Sequence, residues 1–246
     1  DTDMFKSILD EHHEQLGAVI VEPFQRLIPP APGFLEVLRD MTLKYDVPLI
    51  FDEIVTGFRF AYGGAQEFYS VTPDLCSLGK IIGGGFPLAA VGGRKDLMQL
   101  FNKDAVGDKH FLPQIGTLSG NPVASAAGLA TLEILKPKSA YETVFDTGRV
   151  LMGELEAAMK DYGHSAVILG EPPLFDVFFT DNEISDYRGI LKADTKKGSA
   201  FNKLLRSNQV FKGDSKFYVS LAHNEDDVNL TAVSYTHLRA HETDYY

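Results

Sequence analysis

The sequence is poor in cysteine, tryptophan and positive charge. Its 246 residues include one cysteine, Cys76, no tryptophan, and 23 lysine and arginine residues against 34 aspartate and glutamate residues, for a formal charge of −11. A single cysteine excludes an internal disulfide and favours a reducing compartment, so we expect a cytoplasmic protein. The acidic balance argues against nucleic acid or an anionic membrane as the main partner, because phosphate binding needs clustered lysine and arginine.

Long apolar runs and the common metal or nucleophile motifs are also missing. No stretch of 18 apolar residues predicts a membrane-spanning helix, and the polar, acidic first residues are unlike a signal peptide. The 7 histidines show no metal-ligand spacing, and no serine stands in a G-x-S-x-G motif. A composition of 44% hydrophobic and 23% charged residues is typical of a soluble globular protein with one large or two modest domains.

Strand-like and helix-like segments alternate in the first half of the sequence. The apolar runs at residues 18–23 and 48–53 are typical of buried strands, and residues 34–45 between them repeat apolar side chains at helical spacing. This order predicts a βαβ unit with parallel strands. Glycine-rich segments follow at residues 56–64 and 79–85, and in α/β proteins such loops lie at the carboxyl ends of strands, where ligands bind.

A second, smaller α+β domain is predicted after residue 136. Asn121 and Pro122 are typical of a helix start, and we expect that helix to continue to about Leu135. The Lys-Pro-Lys sequence that follows indicates a boundary, so we divide the chain into residues 1–136 and 137–232. Beyond the boundary we expect helices at residues 141–162 and 196–207 and strands at residues 166–169, 174–180 and 217–222.

Residues 233–246 resemble the translation of a sequencing-library adapter. His237 and His241 stand four residues apart with Glu242 beside them, a spacing that on a helix suggests a metal-binding pair. We interpret this tail as non-native, exclude it from functional reasoning and predict no metal site.

Three segments hold residues that could carry chemistry. In an apolar pocket the amine of Lys80 would lose its charge and become a nucleophile able to form a Schiff base; the alternative is a surface lysine in a flexible loop. Asp52 ends an apolar strand and could pair with a protonated pyridine nitrogen, or only cap the following turn. Glu53 should point to the opposite sheet face. Residues 116–122 could cradle a phosphate with hydroxyl and N–H groups, or only cap a helix.

Six short segments follow one another in a characteristic order: EP at residues 22–23, FDEIVTGFR at 51–59, PDL at 73–75, LGKIIGGGFP at 78–87, GTLSGNP at 116–122 and SLAH at 220–223. Their order and spacing closely resemble the class III aminotransferases, which depend on pyridoxal phosphate, and within them the glutamate-1-semialdehyde aminomutase branch. The resemblance covers about residues 16–228. It implies fold type I of the pyridoxal-phosphate-dependent transferases: an α/β part of the large domain with a mainly parallel sheet, then a small α+β domain.

The resemblance implies roles for five residues. Lys80 would hold pyridoxal phosphate as a Schiff base and then move protons, and Asp52 would keep the pyridine nitrogen protonated. Ile54 would pack on one face of the ring, and Glu22 would lie near the ring hydroxyl. Thr117 would reach the cofactor phosphate of the neighbouring subunit, because the family builds its sites across a homodimer.

The leading hypothesis for the activity is transamination between an amino acid or amine and a keto acid or aldehyde acceptor. The alternatives are a glutamate-1-semialdehyde aminomutase and an inactive fragment of such an enzyme. Two departures from the aminomutase branch favour a transaminase: the segment between Pro23 and Pro29 lacks the Asn-Met-Gly of that branch, and Ser215 stands where the branch has a substrate-binding glutamate. The chain starts on Asp1 and lacks the family's N-terminal half, so we expect the inner part of a longer protein.

Overall fold

The computed structural model describes residues 1–236, which divide into two compact units. The first unit comprises Asp1–Phe24 and Pro30–Lys138, and the second comprises Gln25–Pro29 and residues 139–236. The short segment Gln25–Pro29 is therefore separated in sequence from the rest of its unit, an arrangement that no sequence pattern predicts.

A four-stranded sheet forms the centre of the first unit. Its strands are β1 (Val19–Val21), β2 (Leu49–Glu53), β3 (Leu75–Leu78) and β4 (Ala90–Gly93). They lie in the order β1–β2–β3–β4; the first three are parallel, and β4 is antiparallel to β3. The predicted α/β class with a mainly parallel sheet is confirmed.

Helix packing covers one face of this sheet. The helices of the first unit are α1 (Thr2–His12), α2 (Phe34–Lys44), α3 (Gly64–Phe68), α4 (Lys95–Met98), α5 (Lys103–Val106) and α6 (Pro122–Leu135). Buried Leu35 and Leu38 of α2 pack in one cluster with Leu49 and Phe51 of β2, and this apolar contact stabilises the predicted βαβ unit. The other face is more open, and Ile20 there is 66% exposed.

The second unit combines helices with a three-stranded antiparallel sheet. Its elements are α7 (Lys138–Asp161), β5 (Val167–Glu171), β6 (Leu174–Phe178), α8 (Tyr187–Ile190), α9 (Thr195–Ser207), β7 (Phe217–Tyr218) and α10 (Glu225–Thr236). The strands lie in the order β5–β6–β7, and the core contains Leu155, Phe175, Phe201 and Leu205. The strand predicted at residues 217–222 is much shorter in the structure, because only Phe217 and Tyr218 pair with β6.

The predicted adapter-like tail is only partly described. Val233–Thr236 form the last turn of α10, where Tyr235 is fully buried. The metal-like trio His237, His241 and Glu242 lies outside the described residues. Within residues 1–236, no group of three His, Cys, Asp or Glu side chains could hold a metal ion, and no helix is long and apolar enough to cross a membrane.

Candidate active site

The carboxyl ends of the three parallel strands meet at one edge of the first unit's sheet. Asp52, the second-to-last residue of strand β2, is in register with Ser77 on β3, and Glu53 is in register with Leu78. Val21, the last residue of β1, is in register with Phe51, so Glu22 continues the chain level with Asp52. Because neighbouring parallel strands keep their side-chain alternation in register, Asp52 and Ser77 share one face of the sheet.

Asp52 is half-buried on the more open face. Its Oδ1 accepts a hydrogen bond from the Ile54 N–H at 3.1 Å and another from the Ser77 hydroxyl at 3.0 Å. The carboxylate therefore caps the turn after β2, as the alternative interpretation of this residue expects. It does so through one oxygen only, and Oδ2 has no hydrogen-bond partner within residues 1–236.

Glu53 points to the opposite face, as strand alternation predicts, and is fully buried. Its Oε2 accepts from the N–H of Ala65 at 2.5 Å and from the Thr56 hydroxyl at 3.1 Å, and its Oε1 accepts from the side chain of Gln66 at 3.0 Å. A Cβ at residue 64 would stand 2.2 Å from Oε2, so only glycine fits there. The carboxylate is fully occupied in anchoring the start of α3 to the sheet, which the sequence did not reveal.

Lys80 follows β3 and Gly79 and begins a 3-10 turn, Lys80–Gly83. Its φ of 50° lies in the left-handed region, which is costly for a residue with a side chain and is a common feature of functional sites. The residue is exposed in this chain, as the alternative interpretation of a surface lysine expects, and not enclosed in an apolar pocket.

Helix α6 packs directly on this turn. A Cβ at Gly128 would stand 2.4 Å from the carbonyl oxygen of Ile82, and one at Gly84 would stand 2.4 Å from the Thr131 hydroxyl. Gly128 therefore allows α6 to approach the backbone just after Lys80 closely.

The side chain of Ile54 crosses Gly79. A Cβ added to Gly79 would stand 2.9 Å from Ile54 Cδ1 and 3.4 Å from its Cγ2. This contact brings the segment after β2 against the residue that precedes Lys80. Asp52, Ile54, Ser77 and Lys80 are therefore drawn to the same edge of the sheet by the strand register and by this one close contact.

Thr117 lies in an exposed turn before α6. The N–H of Ser119 donates to the carbonyl of Gly116, and the Oδ1 of Asn121 accepts from the N–H groups of Val123 at 3.0 Å and of the following residue. Asn121 is thus the predicted helix cap, and it already occupies N–H groups that a phosphate would otherwise use. The exposed hydroxyl of Thr117 is what this loop offers to a ligand.

Sequence reasoning missed Ser77. Strand β3 carries no alternating pattern, because its residues are all half-buried, and Ser77 is short and unremarkable in the sequence. The available signal was its position three residues before Lys80, which on a strand parallel to β2 places it beside Asp52.

Known proteins match this chain along most of its length. The Aminotransferase class-III family matches residues 2–204. A glutamate-1-semialdehyde 2,1-aminomutase of Pelotomaculum thermopropionicum is 43% identical over 230 residues, which are 91% of this chain and 52% of that protein. Another, of Syntrophomonas wolfei, is 40% identical over 237 residues, 94% of this chain and 54% of that protein. The chain therefore spans about half the length of the curated relatives it matches.

Two solved aminotransferase structures share the fold of this chain. An omega-transaminase from Sphaerobacter thermophilus aligns with a TM-score of 0.90 at 29% identity and covers 98% of this chain and 55% of that one. A beta-phenylalanine aminotransferase from Variovorax paradoxus aligns with a TM-score of 0.88 at 26% identity. The fold expected from the six sequence segments is confirmed by these two structures.

Proposed function

Because this chain belongs to the class-III aminotransferase family, we propose that it carries the catalytic part of an enzyme that transfers an amino group from an amino acid or amine to a keto acid or aldehyde acceptor. The observation that carries the proposal is the strand register that sets Asp52 beside the strand leading to Lys80. The family implies pyridoxal phosphate as cofactor, held covalently on the amine of Lys80.

The residues at this edge of the sheet fit that cofactor. Asp52 is half-buried and keeps Oδ2 free of other partners among residues 1–236, which suits a carboxylate that must face a protonated pyridine nitrogen. Ile54 presents a branched apolar side chain across Gly79, where no Cβ intervenes, and this suits one face of a planar ring. Lys80 supplies an exposed amine directly after Gly79, the residue that Ile54 contacts.

When bound, pyridoxal phosphate supplies the electron sink that stabilises a carbanion at the substrate carbon bearing the amino group. Asp52 keeps the ring nitrogen protonated and so preserves that sink. Lys80 would be the base that takes a proton from the substrate carbon bearing the amino group and holds it on its amine, from which it would be returned when the amino group is delivered. Ile54 would contact one face of the ring.

Three further parts of the proposal rest on the same resemblance. Glu22, exposed and level with Asp52, would lie near the ring hydroxyl. Thr117 binds the cofactor phosphate of a neighbouring subunit in a homodimer with shared sites; its exposure, and the 88% exposed Ile115 close by in sequence, support a surface that meets another chain. The single cysteine supports a cytoplasmic location.

Reduction with borohydride tests the proposal. The chain is incubated with pyridoxal phosphate and reduced, and the modified peptide is identified by mass spectrometry. We expect the label on Lys80, its loss in Lys80→Ala, and its retention in Lys95→Ala, which removes an exposed lysine of α4. Label spread over surface lysines, or a colourless and unlabelled protein, would instead support the reading of the chain as an inactive fragment.

A glutamate-1-semialdehyde aminomutase is the second candidate. It is favoured by relatives of that name at 43% and 40% identity to this chain. The two reactions differ in their need for an acceptor, because an aminomutase exchanges the amino group within one molecule. Turnover of a semialdehyde without any added keto acid would support the aminomutase, and strict dependence on a keto acid or aldehyde would support the transaminase.

A further inference from the structure

The hydroxyl of Ser77 donates a hydrogen bond to Asp52, the residue proposed to face the ring nitrogen of the cofactor. We propose that Ser77 is a positioning residue, which holds the Asp52 carboxylate so that its free oxygen faces the cofactor's ring nitrogen. The inference rests on the proposed function, because it concerns how Asp52 acts toward pyridoxal phosphate. It assigns a role to a residue that neither the sequence motifs nor the turn-capping interpretation of Asp52 includes.

The geometry restricts the rotation of the carboxylate. Oδ1 receives one donor from its own chain, the Ile54 N–H at 3.1 Å, and one from the neighbouring strand, the Ser77 hydroxyl at 3.0 Å. Two donors from different directions on one oxygen fix the plane of the group, whereas one donor would leave it free to turn about the bond to its Cβ. Oδ2 then points in one fixed direction, away from both donors.

The hydrogen bond also couples the two groups that must work together. Ser77 lies on β3, and the same strand leads after Gly79 into the turn that begins at Lys80. A bond from Ser77 to Asp52 therefore ties the carboxylate of β2 to the strand that presents the amine. The bond resists a shift of β3 against β2, which would move Lys80 relative to the carboxylate.

The hydroxyl has no other described use. Within residues 1–236 its one hydrogen bond goes to Asp52. The residue opposite it on β4 is Val91, which is 52% exposed and offers no polar side chain. The Ser77 hydroxyl is therefore committed to Asp52, and its hydrogen bond acts on the orientation of that carboxylate.

A pair of nearly isosteric variants tests the proposal. Ser77→Thr keeps the hydroxyl, and Ser77→Val has the same branched shape without it; both residues suit a strand. Each full-length chain is loaded with pyridoxal phosphate carrying ¹⁵N at the ring nitrogen. The ¹⁵N chemical shift reports protonation of that nitrogen, and titration gives the dissociation constant. Cys76→Ala is the control, since it shortens the side chain of the residue that precedes Ser77 on β3, which lies on the opposite face of the sheet.

We expect the parent, Ser77→Thr and the control to show a protonated ring nitrogen, and Ser77→Val to shift toward the unprotonated position with roughly tenfold weaker binding. A parent-like shift and affinity in Ser77→Val would overturn the positioning role while leaving the proposed function intact. Failure of the parent itself to bind the cofactor would overturn the proposed function, and this inference with it. If Ser77→Val does not fold, Ser77→Ala is compared with Ser77→Thr in the same way.

Discussion

Ile54 and Gly79 are in contact across the end of the sheet, with a site for a Cβ on Gly79 only 2.9 Å from Ile54 Cδ1. The absence of a side chain at residue 79 is therefore a condition for the position of Ile54. Gly79 itself has an extended backbone with φ of −160°, which any residue can adopt, so the requirement is for space and not for backbone conformation. This distinction makes the contact open to a direct test.

Gly79→Ala should displace Ile54 and lower stability. Inserting a methyl group where the nearest atom is too close typically costs about 1–3 kcal/mol. Urea unfolding measures this loss, and binding of pyridoxal phosphate should weaken in parallel because the apolar face moves. Gly17→Ala is the matched control, as its Cβ would meet nothing within 4 Å. Equal stability of the two variants would show that Ile54 can move aside at no cost.

Alanine substitutions at two helical glycines should change the free energy of unfolding in opposite directions. Gly128→Ala places a Cβ 2.4 Å from the Ile82 carbonyl oxygen, so α6 must move off the turn after Lys80. Gly153→Ala on α7 meets nothing within 4 Å and only improves helix propensity. We expect a loss of about 1–3 kcal/mol for the first variant and a gain of about 0.5–1 kcal/mol for the second, measured by urea unfolding. A stabilising Gly128→Ala would contradict the close approach of α6.

The elements predicted best from the sequence are those with a clear period. Helices α2 and α6 and strands β1 and β2 lie where the apolar spacing, the Asn121 cap and the buried runs place them. Strand β3 was not predicted, because its half-buried residues show no alternation, and β4 was hidden because two of its four residues are glycine. Both strands depend on pairing with β2 and with each other, which is tertiary information.

The sequence predicts candidate site residues one by one but not their arrangement. The motif places Asp52 at the end of a predicted strand and Lys80 in a glycine-rich segment, and the parallel register of β2 and β3 explains why these segments converge at one edge of the sheet. The hydrogen bond from Ser77 and the anchoring role of Glu53 could not be predicted, since each depends on which atoms of distant segments meet. Such contacts depend on the register between neighbouring strands. The spacing of residues within one strand does not show which strand it pairs with or in which register.

Asp52→Asn should leave the fold intact and slow amino transfer. An amide cannot hold the pyridine nitrogen protonated, so the carbanion loses stabilisation; removing one electrostatic group of this kind typically costs a factor of about 10²–10³ in rate. Thermal unfolding should change little, because an amide oxygen can still accept from Ile54 and Ser77. Asp40→Asn on the exposed side of α2 serves as the control. Parent-like kinetics in Asp52→Asn would show that Asp52 only caps the turn after β2 and has no role in amino transfer.

Asp74 should make the first unit sensitive to acid. Burial alone would raise the pKa of Asp74, but hydrogen bonds from the Leu49 N–H, Arg94 and Arg39 outweigh it and leave that pKa below its ordinary value of 3.8. A carboxyl group whose pKa is lowered by folding stabilises the fold above the unfolded-state pKa, and this contribution is lost as the pH falls through the lower folded-state pKa.

The measurement compares the parent with Asp74→Asn by urea unfolding across a pH series. At neutral pH the variant should be less stable by about 1–3 kcal/mol, because two arginines lose a charged partner. The difference should shrink progressively as the pH falls below about 4, where the parent's carboxyl becomes protonated as well. A difference that stays constant down to the acid limit would show that the Asp74 charge contributes nothing.

Tyr235→Phe should stabilise the second unit. The ring is fully buried among the aromatic side chains of Phe201 and Phe217, and its hydroxyl has no hydrogen-bond partner within residues 1–236. Burial raises the pKa of this phenol, so the group stays neutral and its desolvation is uncompensated. Removing the oxygen should therefore raise the unfolding free energy by about 1 kcal/mol.

Tyr187→Phe is the control for Tyr235→Phe, because it removes a hydroxyl from a residue that is 45% exposed. It should change the unfolding free energy by less than about 0.5 kcal/mol. A buried hydroxyl without a partner is what a sequence not selected for this core would leave at residue 235, so a stabilising Tyr235→Phe also supports a non-native origin for residues 233–246. A destabilising Tyr235→Phe would mean that the hydroxyl binds a partner in solution, and would argue that Tyr235 was selected for its place in the core.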